Sequence, residues 1–321
     1  MRAAAPQSRA TTDRPAASRS PQLVMFDPIL PDAMALRGED LGVKKAATDP
    51  LILFVLAILG GAFISFGAIF ATTVSAGSIS IVGADGFALS AQLPFGVTKL
   101  LTGLSFSLGL ILVLVAGAEL FTGNTMIVMA WANRKVSTPA LLGNWVIAFC
   151  GNCVGAILTA ALMFCTTQYT FGGGAVGLAA LSAAHAKVSL EFVPAFALGI
   201  MCNALVCLAV WMCYGGRTAL EKIFLIIPPV AAFVAAGFEH CIANAYYLPI
   251  ALFIKAGAAE TFWAAIHKTP ADFPLLTWQN FVFANLLPVT LGNIVGGSIM
   301  VGVVYWFVYL RPRAHADAGQ S

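Results

Sequence analysis

Gly117-Ala118-Glu119-Leu120-Phe121-Thr122-Gly123-Asn124 and Gly237-Phe238-Glu239-His240-Cys241-Ile242-Ala243-Asn244 share the spacing G-x-E-x-x-x-x-N. A second match follows each. Gly151-Asn152-Cys153-Val154-Gly155 comes after the first and Gly292-Asn293-Ile294-Val295-Gly296 after the second, both G-N-x-x-G. Two matches in the same order mark an internal repeat. Both glutamates lie inside long apolar stretches. Glycine and carboxylate there suggest helices broken at membrane depth.

The composition agrees with that reading. Hydrophobic residues make up 60% of the 321 and charged residues 10%, against roughly 45–50% and 25% in soluble domains. A soluble enzyme would lack the charge to cover its surface, and a disordered chain would need the reverse balance. Net charge is only +3, which gives no argument for a nucleic-acid partner. Thirteen charged residues fall in 1–50, and only fifteen in 51–310. The fold class expected is an all-α polytopic membrane protein.

Six spans can be placed by length, at ~20 apolar residues per crossing. They cover about 51–74, 100–131, 139–165, 192–214, 223–254 and 281–310. Spans two, five and six are long and carry internal Gly, Pro or Glu, which suggests broken helices, and the equivalent glutamates mark the breaks expected in spans two and five. Three spans per copy is odd, so the second copy enters from the opposite face. The result is two inverted three-helix repeats, an architecture that places a conduction site at the repeat interface.

Orientation follows from Lys and Arg near the span ends. Lys44, Lys45, Arg134, Lys135, Arg217, Lys222, Arg311 and Arg313 share one side; Lys99, Lys187, Lys255 and Lys268 share the other. Both termini are therefore expected in the cytoplasm. Residues 1–25 read as a disordered extension rich in Ala, Pro, Ser and Arg; their prolines count against a transit peptide. Residues 26–48 read as a cytoplasmic amphipathic helix, with Ile29, Leu30, Ala33, Met34, Leu41 and Val43 near helical spacing. Residues 49–310 form the channel domain and 311–321 a cytoplasmic tail.

Few side chains in the body can carry chemistry. Glu119, Glu239 and His240 are the ionisable groups best placed at membrane depth, where burial is costly and function is the default reading. The glutamates sit at equivalent points. They are expected to brace the breaks by accepting backbone N–H bonds at half-helix N-termini. His240 has no counterpart in the first half, where Leu120 stands, so symmetry does not demand it. It is the expected pore residue, since it alone can exchange a proton near neutral pH. Thr122 and Asn203 could line the pore or bond another helix. Lys187, read as lying in an external loop, is either a solvated lysine or an anion-attracting charge. The seven cysteines read as small apolar residues. No metal site, cofactor motif or catalytic nucleophile accompanies these groups.

The sequence resembles the formate/nitrite transporter family over roughly residues 26–310. The resemblance rests on Leu120–Thr125, Gly143-Asn144-Trp145 with Gly151-Asn152, Cys202-Asn203 through Trp211, Gly237–Asn244, and Pro288 through Gly297. It implies an aquaporin-like fold and a homopentamer with one pore per protomer, in a bacterial inner membrane. It implies two apolar constrictions, Phe106 with Phe233 on the periplasmic side and Leu110, Leu120 and Phe121 on the cytoplasmic side. His240 then lies between them, with Thr122 and Asn203 nearby and Lys187 towards the periplasm. The cargo implied is a small anion, with protons. Glu119 and the T-G-x-T run Thr122–Thr125 resemble nitrite-type members; the Ala184–Val188 stretch and Pro288–Asn293 resemble the formate channels, which are favoured. A neutral-solute channel would be expected to carry paired Asn-Pro-Ala boxes, which are lacking. An intramembrane enzyme would need a nucleophile or metal beside Glu239 and His240.

Overall fold

The structure is a computed structural model that describes residues 29–76, 79–82, 88–91 and 93–311. The expected N-terminal extension 1–25 and tail residues 312–321 lie outside the described residues. The first described element is helix α1, Pro31–Ala46, with Pro at its first turn and Lys44 and Lys45 at its last, where cations meet the negative end of the helix dipole. Helix α2, Pro50–Ser75, is started by Asp49, whose side chain accepts from Leu51 N and Ile52 N. Strands β1, Ile79–Val82, and β2, Ala88–Ala91, pair antiparallel with Ile79 opposite Ala91. This hairpin is a small departure from the all-α expectation.

Helix α3, Phe95–Gly117, runs to the first break. A short helical run, α4, covers residues 121–132. Helix α5, Thr138–Cys165, begins where Ser137 accepts from Ala140 N ahead of Pro139. Helix α6, Ala175–Val188, follows, and α7 is Phe192–Gly215. Helix α8, Ala219–Ala235, opens on a Thr218–Glu221 capping box; α9, Cys241–Gly257, begins after the second break. The short α10, Glu260–Ala265, precedes α11, Trp278–Leu310, which alternates ordinary and wide-turned helix.

Five of these helices are long and apolar enough to cross a membrane: α2, α3, α5, α7 and α11. The stretch expected as a broken span five is divided into α8 and α9, of 17 residues each. Helix α6 was hidden in what reads as a loop. Its 14 residues are too short to span and too rich in Ala to show a periodic apolar face.

Glycines let these helices approach to backbone contact. A Cβ on Gly155 of α5 would collide with Ile58 O of α2. A Cβ on Gly296 of α11 would collide with Ile200 O of α7 in the same way. Small residues at helix contacts are the expected packing device in lipid, where apolar burial gives helices no reason to associate. Large apolar side chains such as Phe66, Val146, Leu162 and Phe283 remain exposed on the outside of the helices. On a soluble protein this would be an unusual surface.

Candidate functional site

The site is built at the two helix breaks. Gly117 has φ +87° and Gly237 φ +75°, conformations that cost other residues about 1–2 kcal/mol. The chain then becomes extended, at Leu120 in the first break and at His240 in the second. Each break frees backbone groups that lipid cannot satisfy.

One asparagine satisfies each break. Asn152 of α5 accepts from Phe121 N (2.8 Å) and donates to Glu119 O (2.9 Å) and Ala57 O (2.7 Å). Asn293 of α11 accepts from Cys241 N (2.9 Å) and donates to Glu239 O (2.9 Å) and Gly199 O (2.8 Å). The two sets match atom for atom. Glu119 N and Glu239 N complete the match by donating to Leu56 O and Leu198 O.

Contrary to the expectation from sequence, the asparagines and not the glutamate carboxylates accept the freed N–H groups of Phe121 and Cys241. The carboxylates accept from lysine and asparagine side chains instead. Lys45 Nζ donates to Glu119 Oε2 (2.6 Å) and to Asn124 Oδ1 (2.9 Å). Lys187 Nζ donates to Glu239 Oε1 (2.8 Å), and Asn244 Nδ2 donates to Glu239 Oε2 (2.6 Å). Asn144 and Asn285 repeat the pattern, each donating to the main-chain oxygen of its lysine. The halves differ in how these groups pair: Asn124 Oδ1 receives the lysine, while Asn244 and Asn285 donate to Glu239 Oε2 and buried Asn244 Oδ1 has no partner. Lys187 thus sits in the last turn of α6 and is ion-paired, rather than in a solvated loop.

His240 and Thr122 meet between the breaks, at 3.1 Å from Nε2 to Oγ1. His240 is 3% exposed and Thr122 is fully buried. Ala243 N donates to His240 Nδ1 (3.1 Å), so the imidazole caps α9. A nitrogen that accepts from an amide carries no proton. The ring proton therefore sits on Nε2, facing Thr122. Thr122 is held in turn through its carbonyl, which accepts from Asn203 Nδ2 (3.2 Å) and Thr125 Oγ1 (2.7 Å).

Two cavities approach this bond. The larger, about 500 Å³, is lined by Phe106, Phe233, Lys187, Glu239 and His240 among others. Phe106 and Phe233 meet edge to face at 5.8 Å, and Phe233 stacks on His240 at 6.1 Å. The second, about 210 Å³, is lined by Leu110, Leu120, Arg37, Lys45 and Lys222 among others. Phe106 and Leu110 lie four residues apart on α3, or ~6 Å along a helix. An apolar plug about one helical turn thick separates the cavities.

Two expected site residues are placed elsewhere. Phe121 lies on neither cavity wall; its ring packs edge on against Trp145 and Phe149 of α5. Asn203 is fully buried and donates to Thr125 Oγ1 and Asn293 O besides Thr122 O, tying α7 to α4 and α11. It positions Thr122 and faces neither cavity.

The comparisons identify the setting. The family described as Formate/nitrite transporter matches residues 32–307. The chain belongs to the formate/nitrite transporter family. It is 44% identical to the formate channel FocA of Escherichia coli K12 over 290 residues, covering 90% of this chain and 98% of that one. It is 38% identical to FocA of Haemophilus influenzae, covering 83% and 89%. Among solved structures it resembles a pentameric formate channel with formate bound, at TM-score 0.72 and 43% identity, covering 81% of this chain and 98% of that one. It also resembles an FNT family ion channel at TM-score 0.67 and 27% identity, covering 85% and 98%. These relatives are named as channels, and this chain is a multi-pass membrane protein.

The residues missed from sequence are Asn152, Asn293, Asn124, Asn244, Asn144, Asn285 and Lys45. The asparagines had a signal, since four of them stand in the repeated motifs. Lys45 had none, because a lysine beside a span reads as a topology charge.

Proposed function

We propose that the chain is a six-span channel for small monovalent anions, formate foremost, working as a homopentamer in a bacterial inner membrane. The atom-for-atom match between the two breaks supports two inverted three-helix repeats, with α8 and α9 together as span five, and the Lys/Arg distribution supports both termini being cytoplasmic. The names of the relatives and the formate in the related pentamer support the cargo and the assembly.

The observation that carries the mechanism is the Thr122–His240 bond between two apolar collars. A bare anion in the collar loses its hydration at several kcal/mol. His240 offers it a replacement. Its Nε2–H points along the path while Nδ1 is occupied by Ala243 N. A neutral imidazole in this state donates a hydrogen bond, and Thr122 Oγ1 is the partner the anion displaces. Donating the proton outright would require an imidazolium, whose Nδ1–H would break the cap on α9. Hydrogen bonding by neutral His240 is therefore the favoured mode.

The test is side-by-side uptake of formate, nitrite and glycerol into vesicles holding the purified chain. Formate uptake well above nitrite and glycerol is expected. Glycerol uptake without anion uptake would overturn the reading, and nitrite above formate would move the cargo within the family.

A further inference from the structure

The two mouths of the proposed pore carry different charge. On the wall of the wider cavity, Lys187 is paired with Glu239, and Lys99 is the other cation. On the wall of the smaller cavity stand Arg37, Lys45 and Lys222, with no acidic residue among them. Lys45 is balanced by Glu119. Among the described residues, no ion pair balances Arg37 or Lys222. Arg37 spends one donor on Tyr214 O (3.0 Å), leaving the rest of its guanidinium fork. No ion pair engages Lys222 among the described residues. Glu221, the acid beside Lys222, is taken by the start of α8, where Arg217 N (2.7 Å) and Thr218 N donate to it.

The same cavity is closed by Leu110 and Leu120. Two unbalanced cations therefore stand in one recess with the apolar collar at its floor. At about 210 Å³, the recess has room for on the order of seven waters at ~30 Å³ each. A small oxyanion fits there with part of its hydration shell. Low-dielectric walls strengthen the attraction of both charges and focus it on the entrance.

We propose that Arg37 and Lys222 form an anion-receiving subsite for small oxyanions at the α1-side mouth, one step before the Leu110–Leu120 collar. This rests on the transport reading above, in which the α1 side is cytoplasmic. Helix α1 thereby supplies a ligand-binding side chain in addition to its packing role. The subsite raises local anion concentration ahead of the dehydrating step. At thermodynamic balance it raises low-concentration permeability equally in both directions. A strongly hydrated anion that cannot pass the collar would instead block from this mouth alone.

The experiment measures low-concentration formate permeability at low and high ionic strength, and inhibition by sulfate added to one face of oriented vesicles. Wild type, Arg37→Gln/Lys222→Gln, Lys222→Gln alone and Lys222→Arg are compared as full chains. The double variant is expected to lose about three- to tenfold in permeability at low salt, with the gap closing at high salt as the charges are screened. Sulfate is expected to inhibit wild type from the α1 face only, and the double variant from neither. Lys222→Gln, which keeps the Arg37–Tyr214 bond, separates loss of charge from disturbance of α1 and should show a partial effect. Lys222→Arg should behave as wild type. Wild-type permeability and salt dependence in the double variant would overturn the proposal, as would equal sulfate inhibition from both faces. If wild-type vesicles carry no formate, the transport reading fails. The subsite is then judged by calorimetric binding of sulfate to the purified chain, which the double variant must weaken.

Discussion

The break at Gly117–Asn124 and the break at Gly237–Asn244 are held by the same bonds, yet only one of them carries an imidazole. Each has a left-handed glycine, an asparagine that satisfies the break from a neighbouring helix, and a glutamate tied to a lysine. At the extended residue the symmetry ends, with Leu120 on one side and His240 on the other. The scaffold is duplicated because both breaks face the same unsatisfied-backbone problem. The chemistry is single because one anion path needs one polar contact between its collars.

The comparison can be broken most severely at the buried ion pairs. Lys187 and Glu239 are 17% and 5% exposed, against 30% and 15% for Lys45 and Glu119. Glu239→Gln strands a buried lysine and is expected to destabilise by about 3–5 kcal/mol. Glu119→Gln is expected to cost less, because water reaches Lys45. Thermal unfolding in detergent of both variants reads the difference, and equal losses would contradict it.

The asparagines come next. Asn152→Ala and Asn293→Ala each leave a buried N–H without a partner, at about 1–3 kcal/mol, with further loss at the carbonyls. The two variants should unfold at similar temperatures, since their bonds match. Flux through His240→Phe tests the asymmetry. Loss of a bond to a charged group, ~1.5–3 kcal/mol, predicts roughly 10- to 150-fold slower formate passage. Leu120→Phe, at the equivalent position, removes no polar contact, so its slowing should follow from collar volume alone and not change with anion type. The smallest effects belong to Gly117→Ala and Gly237→Ala, about 1–2 kcal/mol each, again expected to be similar in thermal unfolding.

Much of this was legible in the sequence. The repeat spacing located both breaks, and the apolar stretches located α2, α5, α7 and α11 within a few residues and covered α3 and α4 with one span. His240 and Thr122 were singled out and are found bonded to each other. What was not legible depended on partners distant in the chain. Nothing in Glu119 or Glu239 says that lysines on α1 and α6 reach them, 74 and 52 residues away. Phe121 was placed in the collar only by the family resemblance, and an aromatic pocket on α5 claims its ring. Asn203 could line a pore or bond another helix by sequence, and it bonds two others, α4 and α11. Helix α6 escaped because alanine-rich segments carry no periodic signal.

The central claim is that neutral His240 passes the anion by a hydrogen bond. His240→Asn tests it most directly. Asparagine can still cap Ala243 N through Oδ1 and donate through Nδ2, but it cannot titrate. Formate flux into vesicles, measured from about pH 5 to 8, is predicted to stay within about tenfold of wild type, as befits a shorter neutral donor. The pH dependence is predicted to be unchanged. A flat pH profile in His240→Asn, or flux reduced to that of empty vesicles, would show instead that the imidazole must carry the proton itself.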